Sequence, residues 1–82
     1  MRRDTVHNDL LVTMLHRVRD TNLDPEERVR SLVALRARME EIETELLTEL
    51  RRNGTTWAEI GRGYGISYQS AASRAHRRGV TD

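Results

Sequence analysis

No helix breaker interrupts the chain between Pro25 and the Asn53-Gly54 pair, and this run constrains the fold more than any other feature. Asp24-Pro25-Glu26-Glu27 opens it with a capping aspartate, a proline in the first turn and a glutamate three residues after the cap. A helix from Pro25 to Arg52 would extend about 42 Å. Leu32, Leu35, Met39, Ile42, Leu46 and Leu50 form its main apolar stripe, with Val29, Val33 and Leu47 beside it. The spacing approaches a heptad but is too short for a sustained coiled coil. A lone helix of this length cannot bury its stripe against itself, so other helices must cover it. Its C-terminal part, about Met39 to Leu50, is free to support whatever follows.

The preceding stretch, Asp4 to Arg19, reads as an amphipathic helix through Val6, Leu10, Leu11, Met14, Leu15 and Val18. Asp4 or Thr5 suits its cap, and Arg17 and Arg19 suit the negative end of its dipole. Asp20-Thr21-Asn22-Leu23 is a loop. The first helix is expected to face the N-terminal part of the long one as a helical hairpin. Two antiparallel helices make a thin core with apolar surface left over. Residues 1–50 are therefore expected to pair two chains through Leu10, Leu11, Met14, Leu15, Val18, Val29, Leu32, Leu35, Met39 and Ile42. Glu40, Glu41, Glu43, Glu45 and Glu49 read as a solvated face.

Residues 51–82 have a different grammar. Thr55 or Thr56 can cap a short helix that carries Trp57 and Ile60 inward. Gly65 follows where the chain must reverse and a positive φ is cheapest for glycine. Ser67 caps a second short helix, with Ile66, Ala71 and Ala75 as inward positions and Gly79 as its stop. Trp57, Ile60 and Tyr64 are expected to pack on the end of the long helix. Val80-Thr81-Asp82 reads as a short tail. The expected architecture is all-α: a helical hairpin with one long helix leading into a helix-turn-helix.

The net charge of +1 is split along the chain. Residues 1–50 hold eight arginines and eleven acidic residues, whereas residues 51–82 hold six arginines against Glu59 and Asp82. Basic charge on two crossed short helices is the footprint of phosphate binding. The absence of cysteine excludes disulfides and cysteine-ligated zinc. His7 and His16 have no third ligand in reach, so they read as solvated positions and no metal or other cofactor is expected. Arg2-Arg3 is followed by Asp4, His7 and Asp9 rather than the apolar run of a twin-arginine signal. No stretch is long enough to span a membrane. No nucleophile with an oriented base is apparent, and Gly61, Gly63 and Gly65 do not follow a strand, so an enzyme is not expected.

Trp57-Ala58-Glu59-Ile60-Gly61-Arg62, followed by Gly65-Ile66-Ser67, resembles the helix-turn-helix of the promoter-reading domain of bacterial sigma factors. It is still more similar to the small sigma-like regulators of actinobacteria and their phages. In those proteins the second helix often reads Ser-Arg-Gln-x-Ala-x-x-Arg, matched here by Ser67, Gln69, Ala71 and Arg74. The chain departs at Tyr68, where arginine is usual, and at Gly63-Tyr64, where Ala-Leu is usual. The resemblance implies a cytoplasmic, nucleoid-associated protein that binds double-stranded DNA, or alternatively RNA polymerase or another regulator.

On that expectation Thr55, Thr56, Arg62, Arg77 and Arg78 hold phosphates. Tyr68, Gln69, Ser70 and Ser73 meet base edges, with Gln69 suited to adenine. Ser67 serves as cap and possible reader. Arg74 is expected to pair internally with Glu59, the nearest acid in sequence, and brace the two short helices.

Overall fold

A computed structural model describes the backbone of residues 3–81 and the side chains of residues 10–81. Among the described residues the chain is all-α, with four helices and no strand: α1 (Arg3–Arg19), α2 (Pro25–Arg52), α3 (Trp57–Tyr64) and α4 (Tyr68–Arg77). Helix α1 begins at Arg3, ahead of the expected caps Asp4 and Thr5, and the side chains of Asp4, Thr5, Val6 and His7 lie outside the described residues. Two compact units divide the chain, Met1–Glu40 and Glu41–Asp82. The charge pattern puts its boundary at residue 51, but packing puts it earlier. The last turns of α2 carry Leu47 and Leu50, which belong to the core beneath α3 and α4.

In the first unit the joint between α1 and α2 is held by local polar bonds. The Leu23 N–H donates to the Asp20 carbonyl at 3.2 Å, and the Asn22 N–H donates to the Asp20 carboxylate at 2.9 Å. Arg28 Nε donates to the Val18 carbonyl at 2.8 Å, satisfying one acceptor in the last turn of α1. No described side chain of this unit is fully buried. Leu11, Met14, Val18, Leu32 and Leu35 are half-buried, while Leu10, Val12, Leu15, Val29, Val33 and Met39 are exposed.

The second unit has a small core of Leu47, Ile60, Ala71, Ala75 and Val80, with Leu50 and Trp57 packed against it. The supporting position on α2 is Leu47, at 1% exposure, whereas Leu46 of the expected main stripe is 48% exposed. The stripe that covers α3 and α4 is thus rotated by one residue from the sequence reading. Extensive close approach between helices among the described residues is confined to α3 and α4.

One closing device recurs at three helix ends. The Gly54 N–H reaches Arg51 O and the Thr55 N–H reaches Leu50 O. Gly65 and Ile66 bond Arg62 O and Gly61 O in the same way, and Gly79 and Val80 bond His76 O and Ala75 O. This is the Schellman arrangement, which needs a left-handed residue at its centre. Gly65 at φ 77° and Gly79 at φ 80° supply it. Two corrections follow from this geometry. Val80 is not part of a tail, because the Gly79 turn folds it back to 5% exposure. Ile66 is not inward but 40% exposed, because the turn presents its backbone to α3 rather than its side chain.

That backbone passes directly over Gly61. A Cβ there would lie 2.8 Å from the Ile66 carbonyl oxygen and 3.1 Å from the Ser67 backbone. Gly63, in the same helix, has nothing within 4 Å of such an atom. Gly61→Ala is therefore expected to lower stability by about 1–3 kcal/mol through overpacking. Gly63→Ala is expected to raise it by roughly 0.5–1 kcal/mol through helix propensity. Urea unfolding followed by circular dichroism distinguishes the two signs.

Candidate nucleic-acid interface

The frame of α3 and α4 begins with a reciprocal cap. The Glu59 N–H donates to Thr56 Oγ1 at 3.1 Å, and the Thr56 N–H donates to Glu59 Oε1 at 3.2 Å. The Thr56 hydroxyl also donates to Glu59 Oε1, at 2.9 Å. The backbone and hydroxyl donors of Thr56 hold the Glu59 carboxyl below its usual value. Ser67 caps α4 by accepting from the Ser70 N–H at 3.1 Å, and its hydroxyl donates to Ser70 Oγ at 3.0 Å.

Ten residues of α4 divide into four rows at about 100° per residue. Ala71 and Ala75 form the buried row. Gln69, Ser73 and Arg77 form the opposite row and are exposed. Each remaining row is a flank with its own brace. On one flank, His76 meets the Trp57 ring edge-on at 5.7 Å between centroids. Arg51 stacks on the same indole at 4.2 Å and donates to the Thr55 carbonyl at 2.6 Å.

The other flank carries Ser70, Arg74 and Arg78. Arg74 does not pair with Glu59. Its Nε donates to Glu43 Oε2 at 2.7 Å, and Arg78 Nε donates to Glu43 Oε1 at 2.8 Å. The Tyr64 hydroxyl also donates to Glu43 Oε2. Glu59 is already committed to the cap of its own helix, whereas α2 presents Glu43 one turn before buried Leu47 and so toward α4. Glu43 is thus no solvated charge, since its side chain is only 17% exposed. Arg78, expected on phosphate, is also committed to Glu43. The glutamates of α2 look alike in sequence, so composition does not single out Glu43. The four-residue step from Glu43 to Leu47 is the signal that marks it.

The remaining candidates are distributed as follows. Tyr68, Gln69, Ser70, Ser73, Arg77, Arg62 and Thr56 are exposed, and Thr55 is half-buried. Ser67 and Ser70 are tied to one another, which leaves Tyr68, Gln69, Ser73 and Arg77 as the outward set. The unit Glu41–Asp82 holds six arginines and six acidic residues, so the basic excess of its last part is offset by the end of α2. Among the described residues no group of three His, Cys, Asp or Glu could hold a metal ion. No described helix is long and apolar enough to cross a membrane. No protein-family model, curated protein or solved structure matches the chain.

The Arg74 hydrogen bond is the largest cause of a Glu43 carboxyl held down at about 2; burial opposes it, and Tyr64 and Arg78 reinforce it. Burial and the Glu43 carboxylate push the Tyr64 phenol up. The exposed pair Arg30–Glu26 is a useful contrast, since such a pair contributes no more than about 0.5 kcal/mol. The Glu43 cluster should contribute about 2 kcal/mol, below a fully buried pair because Arg74 is 41% exposed. With its folded value below the ordinary 4.5, Glu43 stabilises fully above that pH and loses its contribution as pH falls toward 2. The difference in unfolding free energy between the wild type and Glu43→Gln is therefore expected to be about 2 kcal/mol at neutral pH and to shrink toward zero through that window. Urea titrations at a series of pH values measure it.

Proposed function

We propose that the chain is a sequence-specific DNA-binding transcriptional regulator that acts as a dimer. In this reading α3 and α4 are a helix-turn-helix, and α4 enters the major groove. The observation that carries it is the outward row of α4. Gln69, Ser73 and Arg77 stand opposite the buried alanines, with exposed Tyr68 beside them, on a helix capped at Ser67 and braced on both flanks. Gln69 and Tyr68 read bases, Ser73 assists, and Arg62, Arg77 and the α3 start at Thr55 and Thr56 hold phosphates. Such a role belongs to the cytoplasm and its nucleoid, and it needs no cofactor and no catalysis.

Few positioning charges remain, so log K is expected to fall with log salt at a slope of only about −2 to −3 per chain. Selection of bound fragments from a random duplex pool should return one preferred sequence. Gln69→Ala is expected to relax a single position of that sequence, while Arg77→Ala weakens all sequences alike and reduces the slope by about one. Retention of full specificity by both variants would refute the assignment of α4.

Dimerisation is proposed through the apolar positions that α1 and α2 leave exposed in the single chain, Leu10, Leu15, Val29 and Met39 among them. Half-sites of an inverted repeat would then lie about one helical turn, or a multiple, apart. Sedimentation equilibrium is expected to give twice the 9.5 kDa chain mass, and Leu15→Glu and Val29→Glu to return it to one chain.

The balanced charge of Glu41–Asp82 favours a second reading, a sigma-like module docking on RNA polymerase or another regulator. Retention of one of these partners from nuclease-treated lysate, together with failure to bind any duplex at low salt, would favour it over the first.

A further inference from the structure

Glu43 has both carboxylate oxygens occupied. Oε2 accepts from Arg74 Nε and the Tyr64 hydroxyl; Oε1 accepts from Arg78 Nε, with Arg78 Nη2 at 2.5 Å and Arg74 Nη2 at 3.5 Å. Two guanidinium groups and a phenol around one anion make a phosphate-binding arrangement. Here the anion is a side chain of the protein itself. Its exposure is 17%, behind arginines exposed by 41% and 22%. The flank they occupy adjoins the outward row of α4, so released side chains would extend toward any backbone lying beside that helix.

We infer that Glu43 is a specificity-determining residue, a resident counter-ion that withholds Arg74 and Arg78 from nucleic-acid phosphates. The inference rests on the DNA-binding reading above. Its physical basis is a difference in tolerance. A long, freed arginine finds a phosphate in any register of the duplex, whereas Gln69 and Tyr68 match only one. Occupying two such arginines removes sequence-independent attraction and leaves base contacts a larger share of the binding.

The test uses the full chain with three variants, Glu43→Gln, Arg74→Gln and Arg78→Gln, a random-sequence duplex, and a heparin column as a polyanion without bases. Glu43→Gln is expected to bind the random duplex roughly tenfold tighter at low salt, with a salt slope steeper by up to about two. It should also elute from heparin at higher salt than the wild type. Arg74→Gln and Arg78→Gln are expected to leave the wild-type slope unchanged. A purely structural Glu43 would give weaker binding with no steeper slope, which overturns the inference. A slope made shallower by about one in either arginine variant also overturns it, since that arginine would already touch phosphate. Circular dichroism checks that Glu43→Gln is folded; if it is not, the two arginine variants decide. If the wild type binds no duplex at any salt, the DNA reading falls and the heparin comparison decides separately whether Glu43 withholds the arginines.

Discussion

The direction of α4 depends on one carboxylate. The core beneath the helix is Leu47, Ile60, Ala71, Ala75 and Val80, and the helix itself contributes only two methyl groups to it. Small side chains permit close approach, but they offer little resistance to a helix turning about its axis. Hydrogen bonds to a charged group are short and directional. Glu43 receives them from Arg74 of α4 and from Arg78 at its end, so a rotation of α4 must break both, while Tyr64 of α3 holds the same carboxylate in place. The His76–Trp57 contact limits rotation from the other flank. The outward row is what remains when both flanks and the inner row are taken.

The same carboxylate alters what the charge pattern means. Read along the chain, the last segment is strongly basic. Folded, it lies against the end of α2, which supplies Glu41, Glu43, Glu45 and Glu49 to the same unit. Long-range attraction depends on the net field of the folded unit and not on a run of sequence. A neutral unit gains little from steering. The recognition proposed for its exposed helix would then lean on the fit of individual side chains, which is the kind of contact that distinguishes one partner from another.

What could be read from the sequence was local. The limits of α2, a cap at Thr55 or Thr56, the Ser67 cap, and the turns at Gly65 and Gly79 follow from residues within a few positions of one another; the structure selects Thr56. Ala71 and Ala75 followed from helical spacing. What the sequence does not show is long-range. The acid nearest Arg74 in sequence is Glu59, but its partner is 31 residues away, and a pairing at that distance is decided by how α2 crosses the shorter helices. Leu47 displaced Leu46 because an apolar stripe two residues wide does not say which edge faces inward. The burial of Val80 leaves no mark in the sequence, because a burial made by a six-residue closing turn has no periodicity. The candidate site was legible as a set of residue types; which arginines were available to it was not.

The first unit poses a different problem of cover. Every fully buried side chain among the described residues lies in the second unit. Helices gain most of their stability in proteins from packing an apolar face rather than from propensity. α1 and the first half of α2 expose Leu10, Val12, Leu15, Val29, Val33 and Met39 to solvent, and the Arg28 bond to the Val18 carbonyl at their joint does not cover them. A chain of this size has little other core to hold such a segment in helical form. The proposed pairing of two copies answers the same need that the sequence pattern raised, because a self-complementary apolar face is buried twice by one symmetric contact.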